Sequence, residues 1–492
     1  MQFDLQIDRL ADRPIYRQIV EQLKDRICDG RLPAGSRLPT VRRLAETLGV
    51  TRLTIQHAYG ELQSDGWIEA TVGRGTFVSA AARGHSFGRG MQPPLTQDGV
   101  INDILQINQV VGIRSLASAS PDARLFPADE FWAALQELQI GSPDLINYAS
   151  SQGDAQLRIE ISRDLADRGI TASPGDILVV AGVTQGLSLT TQALAQPGDR
   201  VLVERPTYLG LLHTLKLHGV EPVGVNLDGE GINLEELERA ILQHRPRFLY
   251  TVPSFQNPTG HCMGLARRHE LVDLAAQHGL PIVEDDIYGR LTYDAPPPPT
   301  LFELDRFGQV IHVGSYSKLL MPGLRLGYVV APARWAQQLI SLRRAGDLCS
   351  PPILQRALAT FLRNGGLKRH LRRVLPVYRR RRDVTVAALQ RYLPGSVQWQ
   401  APQGGFCCWL TLPGLHAFAN LEQALLAQGW AVTPGDVFLT ETPARKSMRI
   451  CFGAPPPETL QLGVEVLSRA IRARLTGAAE PAIRAGDWTP LV

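Results

Sequence analysis

Val310-Ile311-His312-Val313-Gly314-Ser315-Tyr316-Ser317-Lys318 reads as a buried strand that runs into a turn closing on a lysine. Seven residues later Arg325 stands within Pro322-Gly323-Leu324-Arg325-Leu326-Gly327-Tyr328. An amine at the end of a strand can form a Schiff base with an aldehyde. The hydroxyls of Ser315 and Ser317 and the guanidinium of Arg325 can hold a phosphate. The segment therefore asks for a phosphate-bearing aldehyde cofactor.

Working outward, four more apolar runs end abruptly in polar turns. Ile177-Leu178-Val179-Val180 leads into Ala181-Gly182-Val183-Thr184, and Val201-Leu202-Val203 into Glu204-Arg205-Pro206-Thr207-Tyr208. Phe248 to Val252 leads into Pro253-Ser254-Phe255-Gln256-Asn257-Pro258, and Pro281-Ile282-Val283 into Glu284-Asp285-Asp286-Ile287-Tyr288. Continuous apolar strands alternating with helical patterns predict an α/β domain with a mostly parallel sheet buried on both faces. Ligands of such sheets sit beyond the carboxyl ends of the strands, where all five turns would converge. Val183 and Thr184, opening a helix, offer backbone N–H groups and a hydroxyl to a phosphate. Asp285 is placed to keep a pyridine nitrogen protonated. Asn257 and Tyr288 can hydrogen-bond a ring phenolate, and Tyr208 can stack on the ring.

The first eighty residues follow another pattern. Ile15, Ile19, Leu23 and Ile27 recur every four residues after Pro14, giving one apolar helical face. A second helix is predicted after Thr40, ending at Gly49, and a third after Thr51. Trp67 to Ala70, the turn Gly73-Arg74-Gly75, and Thr76-Phe77-Val78 read as strand–turn–strand. Two short helices and a β-hairpin predict a winged helix-turn-helix, with the third helix entering the major groove. Its N-terminal face carries Thr51, Arg52, Thr54, Gln56 and His57 as candidates for base contacts. Between residues 37 and 57 the basic residues Arg37, Arg42, Arg43 and Arg52 outnumber one acid, Glu46, an excess suited to DNA phosphates, with Arg74 contributing from the wing.

A chain of 492 residues exceeds one hydrophobic core. A net charge of +4 is too small to argue for nucleic acid by itself. No run of about 18 apolar residues supports a membrane span. Met1-Gln2-Phe3-Asp4 does not begin a secretory signal, so a cytoplasmic location is expected. Cys28, Cys262, Cys349, Cys407, Cys408 and Cys451 lack metal-ligand spacing and read as reduced thiols, with no metal site.

Leu38 to Ala45, Val50 to Ile55 and Gly73 to Val78 resemble the GntR-type winged-helix regulators, which usually have serine where Thr40 and Thr51 stand. The resemblance implies that Arg42, Arg52 and the wing Gly73-Arg74-Gly75 contact DNA. From about Ile113 to Leu475 the chain resembles fold-type I, class I and II aminotransferases that use pyridoxal 5′-phosphate. That resemblance implies large and small subdomains and an internal aldimine at Lys318. It pairs Asp285 with the pyridine nitrogen, sets Asn257 and Tyr288 on the ring oxygen and stacks Tyr208. The phosphate falls to Val183, Thr184, Ser315, Ser317 and Arg325. Arg449, in Met448-Arg449-Ile450-Cys451-Phe452, matches the arginine that clamps an amino-acid carboxylate, and Tyr148 a tyrosine that reaches the partner subunit's phosphate. The chain departs from the usual pattern at Val183 (often serine), at Ala119 (often glycine) and at Ser151-Gln152, where proline is common.

Together the two halves resemble the MocR/GabR branch of GntR regulators. The resemblance implies a head-to-tail, domain-swapped homodimer that binds a double-stranded DNA operator and senses a small amino compound or the cofactor itself. A working aminotransferase with an appended DNA-binding head is the alternative. The expected organisation is a DNA-binding domain over 1–79, a linker over 80–112, an effector domain over 113–475 and a tail over 476–492. The run Tyr378-Arg379-Arg380-Arg381-Arg382-Asp383 is read as a solvated helix face rather than a nucleic-acid site.

Overall fold

In a computed structural model, the structure describes residues 5, 7–8, 14–28, 32, 35–64, 67–71, 75–79, 113–138, 143–296, 298–414, 418–442 and 445–476. They fall into two compact units, one within the first 94 residues and one beyond. The expected linker 80–112, Gly73 and Arg74 of the wing, and residues 477–492 of the expected tail lie outside the described residues.

In the first unit, helices α1 (Ile15–Cys28), α2 (Val41–Leu48) and α3 (Arg52–Ser64) precede the antiparallel strands β1 (Ile68–Thr71) and β2 (Gly75–Val78). The i, i+4 apolar face of α1 is buried as its period requires. Ile19, Leu23 and Ile27 pack with Leu44, Ala45, Ile55, Ala58, Leu62 and the wing residues Ile68 and Val78. Thr40 caps α2, its hydroxyl accepting from the Arg43 N–H at 3.3 Å. Gly49 ends α2 at φ 62°, a left-handed turn that costs glycine little. The Tyr59 hydroxyl donates to the Pro39 carbonyl at 2.9 Å and ties α3 to the entry of α2.

The second unit opens with β3 (Arg114–Ser115) and is built on seven strands: β4 (Ile177–Val180), β5 (Arg200–Arg205), β6 (Glu221–Asn226), β7 (Leu249–Thr251), β8 (Ile282–Asp285), β9 (Val310–Ser315) and β10 (Gly327–Val330). Their order is β4-β10-β9-β8-β7-β5-β6, and β10 alone runs antiparallel to its neighbours. Every residue of β4, β8, β9 and β10 is buried, as helices on both faces demand. Gly186, in the helix Val183–Leu194, lets that helix approach closely. A Cβ there would stand 3.0 Å from Val313 and 3.1 Å from Val329. A smaller antiparallel sheet of β11 (Cys407–Thr411), β14 (Ser447–Cys451) and β13 (Thr433–Pro434) follows, while β12 (Trp430–Ala431) pairs with β3.

The arginine run on the helix Gly366–Tyr392 corrects the sequence reading. Arg379 and Arg380 are exposed, but Arg381 and Arg382 are buried. Arg381 bonds Asp122 at 2.5 Å, and Arg382 forks onto Asp294 at 2.7 and 2.9 Å. A helix turns about 100° per residue, so four consecutive arginines cannot share one face, and two of them point inward. Their partners are distant in sequence, which is why charge patterning alone missed them.

Candidate cofactor, effector and DNA sites

At the carboxyl end of β4, Gly182 (φ 83°) precedes a helix whose N-terminus has no side-chain cap. Its first N–H groups are thus left to an anion. Arg325 reaches over it, Nη2 donating to the Ala181 carbonyl at 2.8 Å. A Cβ on Gly182 would come within 3.0 Å of that guanidinium, so the close approach requires glycine. Ser315 and Ser317 lie together, their hydroxyl oxygens 3.1 Å apart. Uncapped helix end, guanidinium and paired hydroxyls form a cradle that fits a phosphate.

Asp285 ends β8. The Tyr250 hydroxyl donates to its Oδ2 at 2.9 Å and the Ile287 N–H to its Oδ1 at 3.1 Å. Burial raises its pKa to about 7 although the Tyr250 bond pulls the other way. A buried carboxyl with hydroxyl and amide donors but no cation at hydrogen-bond distance suits a protonated ring nitrogen. Tyr250 was missed in the sequence because it sits inside an apolar strand. A hydroxyl in a strand buried on both faces is the signal that could have found it, since it needs a partner.

Burial raises the pKa of the Tyr208 hydroxyl, with the Asp285 charge acting the same way and Arg449, Thr184 and Arg325 acting against it. Glu204, ending the strand before it, anchors the adjoining turn. It accepts from the Thr251 hydroxyl at 2.5 Å and from Gln256 Nε2 at 3.0 Å. That bond steadies the loop bearing Asn257. Arg449 Nη1 donates to Asn257 Oδ1 at 2.7 Å, which fixes the amide and leaves its Nδ2 to donate. The guanidinium also donates to the Ala117 carbonyl at 2.6 Å and to the Thr433 hydroxyl at 3.2 Å, and lies 4.8 Å over the Phe438 ring. Its Nε is buried and has no hydrogen-bond partner. Such a donor is costly to bury unless a ligand uses it. Tyr288 is buried edge-on to Phe406, with ring centroids 6.1 Å apart.

Lys318 follows β9. Burial lowers its amine to about pKa 8, with Arg449 and Arg325 pushing the same way. The lowered pKa leaves more free amine near neutral pH than an ordinary lysine has, and free amine is what nucleophilic attack on an aldehyde requires. The described structure therefore brings together Lys318, Asp285, Tyr288, Asn257, Tyr208, Val183, Thr184, Ser315, Ser317, Arg325 and Arg449. Tyr148 is different: it is 85% exposed, and no hydrogen bond or ring contact joins it to the cluster.

One prediction follows from Asp285. A carboxyl whose pKa rises on folding contributes stability below about pH 4 and loses it as pH climbs through about 7. In the cofactor-free protein at pH 8, Asp285→Asn should therefore raise the free energy of unfolding, by up to about 4 kcal/mol, and the gain should vanish near pH 4. Cofactor uptake should fall in the same variant. Urea melts at both pH values, with a cofactor titration, check it.

In the first unit, Arg42, Arg43, Arg52, Gln56 and His57 are exposed on α2 and α3. Thr51 and Thr54 share a hydroxyl contact of 2.8 Å and cap α3 through the Thr54 N–H. Arg42 pairs with Glu46 at 3.0 Å, both largely exposed, a contact weak enough to yield to phosphate. The His57 ring lies edge-on to Tyr16 at 5.7 Å. Arg37 bridges to Phe77 and its guanidinium would stand 3.0 Å from a Cβ on Gly75. It thus brings to the wing's base a cation that the sequence reading counted but did not place.

The fold joins a winged helix-turn-helix to an aminotransferase-type domain. Residues 117–467 match the family of class I and II aminotransferases, and residues 15–78 match the gntR family of bacterial regulatory proteins. The chain is 31% identical to the uncharacterized HTH-type transcriptional regulator YisV of Bacillus subtilis, over 95% of this chain and 98% of that one. It is 30% identical to the probable rhizopine catabolism regulatory protein MocR of Rhizobium meliloti, over 98% of each. Among solved structures, the multiple substrate aminotransferase of Thermococcus profundus superposes with a TM-score of 0.73 at 30% identity, over 79% of this chain and 97% of that one. The chain belongs to the class I and II aminotransferase family and, carrying a gntR-family DNA-binding domain, to the MocR-type branch of GntR transcriptional regulators. No helix among the described residues is long and apolar enough to cross a membrane.

Proposed function

We propose that this chain is a cytoplasmic, pyridoxal phosphate-binding transcriptional regulator in which Lys318 holds the cofactor and Arg449 receives the carboxylate of an amino compound. The observation that carries the reading is the buried Lys318 amine, its pKa lowered by burial, beside a phosphate-fitting cradle, on the same chain as an exposed basic recognition helix. The cofactor, once bound, supplies an aldehyde and an electron-accepting ring. The chain's own part is to bind and to orient. Asp285 holds the ring nitrogen's proton, Asn257 and Tyr288 fix the phenolate side, and Tyr208 covers the face. Val183, Thr184, Ser315, Ser317 and Arg325 seat the phosphate.

On this reading residues 1–79 form the DNA-binding head, 80–112 a tether, 113–475 the effector domain and 476–492 a tail. DNA is contacted by Arg42, Arg43, Thr51, Arg52, Thr54, Gln56, His57 and the wing Gly73-Arg74-Gly75. A homodimer is favoured by exposed Trp132, Ile146 and Ile353, on the helices Ala128–Gln136, Pro143–Ile146 and Pro352–Arg363, the first two of which pack on the third; the head-to-tail, domain-swapped arrangement is what the family resemblance implies. Two heads then engage two operator half-sites, and Tyr148 completes the partner's phosphate cradle.

Band-shift titration of operator DNA tests the reading, with cofactor alone and with cofactor plus single amino acids. A shift in affinity only when an amino compound is present supports effector sensing. Switching by cofactor alone assigns sensing to the cofactor. Sustained keto-acid production at ordinary enzyme rates would instead favour the working aminotransferase. Arg52→Ala should weaken operator binding by about 1–3 kcal/mol and leave cofactor uptake unchanged. Equal loss of both would show a folding defect.

A further inference from the structure

We infer that Cys407 and Cys451 form a reversible dithiol–disulfide site, oxidised by a hydroperoxide, that governs how firmly the pocket holds a carboxylate at Arg449. The two residues are far apart in sequence, but the β11–β14 ladder places them directly opposite each other. The Phe452 N–H donates to the Phe406 carbonyl at 3.0 Å, and the Cys451 N–H turns away to Leu116. Cys407 and Cys451 therefore occupy a non-hydrogen-bonded position, where opposed Cα atoms stand about 4.5 Å apart. That spacing lies within the disulfide range. The sulfurs are 4.0 Å apart, so side-chain rotation with small backbone adjustment can join them.

The pair also touches both seats of the arginine. Cys407 Sγ faces Asn257 Oδ1 at 3.7 Å, and Cys451 Sγ faces the Ala117 carbonyl at 3.6 Å. Those same two oxygens accept from Arg449 at 2.7 and 2.6 Å. Drawing the sulfurs together pulls them off both acceptors and reshapes the wall against which Arg449 is aligned. The two thiols are unlike. Burial, and then the Cys451 sulfur, push the Cys407 thiol up. For Cys451 burial also acts upward, but the bond from Cys407 and the charges of Arg449 and Lys318 outweigh it. Cys451 is the nucleophile and Cys407 the resolving thiol.

The Cys451 thiolate attacks the terminal oxygen of the hydroperoxide. The O–O bond breaks, leaving Cys451 as a sulfenic acid, and the departing alkoxide or hydroxide takes up a proton. The Cys407 sulfur then attacks the Cys451 sulfur. The S–O bond breaks, and hydroxide leaves with the Cys407 proton as water. In sum, two thiols and one hydroperoxide give a disulfide, an alcohol (or water) and water, a two-electron exchange. A reducing dithiol reverses it. Both sulfurs are buried against the two oxygens that hold Arg449, and on this inference the effector site is the oxidant's way in. A bound amino compound should therefore slow the reaction, and this clause rests on the function proposed above.

The test uses the full chain, first freed of cofactor and reduced, then treated with hydrogen peroxide. Non-reducing peptide mapping should show one Cys407–Cys451 cross-link that dithiothreitol removes. Cys408→Ser should retain it, and Cys407→Ser and Cys451→Ser should each lose it. No cross-link, a different pairing, or only sulfinic and sulfonic products would overturn the site. In cofactor-loaded protein, amino-acid affinity should drop roughly tenfold or more on oxidation and recover on reduction. In Cys451→Ser the oxidised and reduced samples should agree. A cross-link without a change in affinity overturns the coupling to Arg449. Failure of the reduced protein to bind any amino acid would count against the proposed function, while the peptide map still decides the dithiol site.

Discussion

Lys318→Ala is expected to give a folded chain with no visible absorbance after incubation with excess pyridoxal phosphate and desalting. The lysine's amine gives up its proton more readily than an ordinary lysine before any ligand arrives, because burial brings it down to about pKa 8. Its removal takes away a poorly solvated cation, so stability should change by no more than about 1 kcal/mol in either direction. Cofactor retention should collapse, since no other lysine lies beside the phosphate cradle among the described residues. Arg325, Ser315 and Ser317 would still bind the phosphate weakly and reversibly. The head should still bind DNA, because α1–α3 and the wing pack on a core of their own. Retained absorbance after desalting would refute the assignment of Lys318.

Arg449→Ala is expected to weaken binding of a carboxylate-bearing effector by about 2–5 kcal/mol, roughly thirtyfold to several-thousandfold. The loss has two parts. A fork of donors to the carboxylate disappears, and Asn257 Oδ1 and the Ala117 carbonyl lose donors at 2.7 and 2.6 Å. Arg449→Lys should recover charge but not the fork, and so only part of the affinity. Titrating an amino acid and its decarboxylated amine against both proteins separates the two parts. The amine should distinguish wild type from variant far less than the amino acid does. If both ligands lose equally, the arginine orders the pocket through Asn257 and does not meet a carboxylate.

Much of this architecture was legible along the chain. The five apolar runs became strands of one sheet, and their polar turns met at one end of it. The residue types at those turns are those that a phosphate, a ring nitrogen and an aldehyde would each ask for, because each restricts what can face it. The four-residue period of Ile15, Ile19, Leu23 and Ile27 foretold the buried face of α1 for the same reason: local geometry repeats along the chain.

Other features lay beyond local reading. Arg381 and Arg382 looked like a solvated run, yet they meet Asp122 and Asp294, residues set far away along the chain. Tyr250 resembled strand filler until β7 and β8 placed its hydroxyl on Asp285. Tyr148 stands 85% exposed in a single chain, with no contact to the cluster that its place in the sequence pattern suggested.

The sequence by itself determined much of which strands and helices form and which side chains are candidates for the chemistry, because periodicity, capping and functional groups are local properties. Only the tertiary structure decided their partners. Sheet order and the β11–β14 register set Cys407 against Cys451 and Arg449 against Asn257, and burial then moved Lys318 and Asp285 toward neutrality. Proximity across long loops and loss of water are properties of the folded whole, and no window of residues contains them.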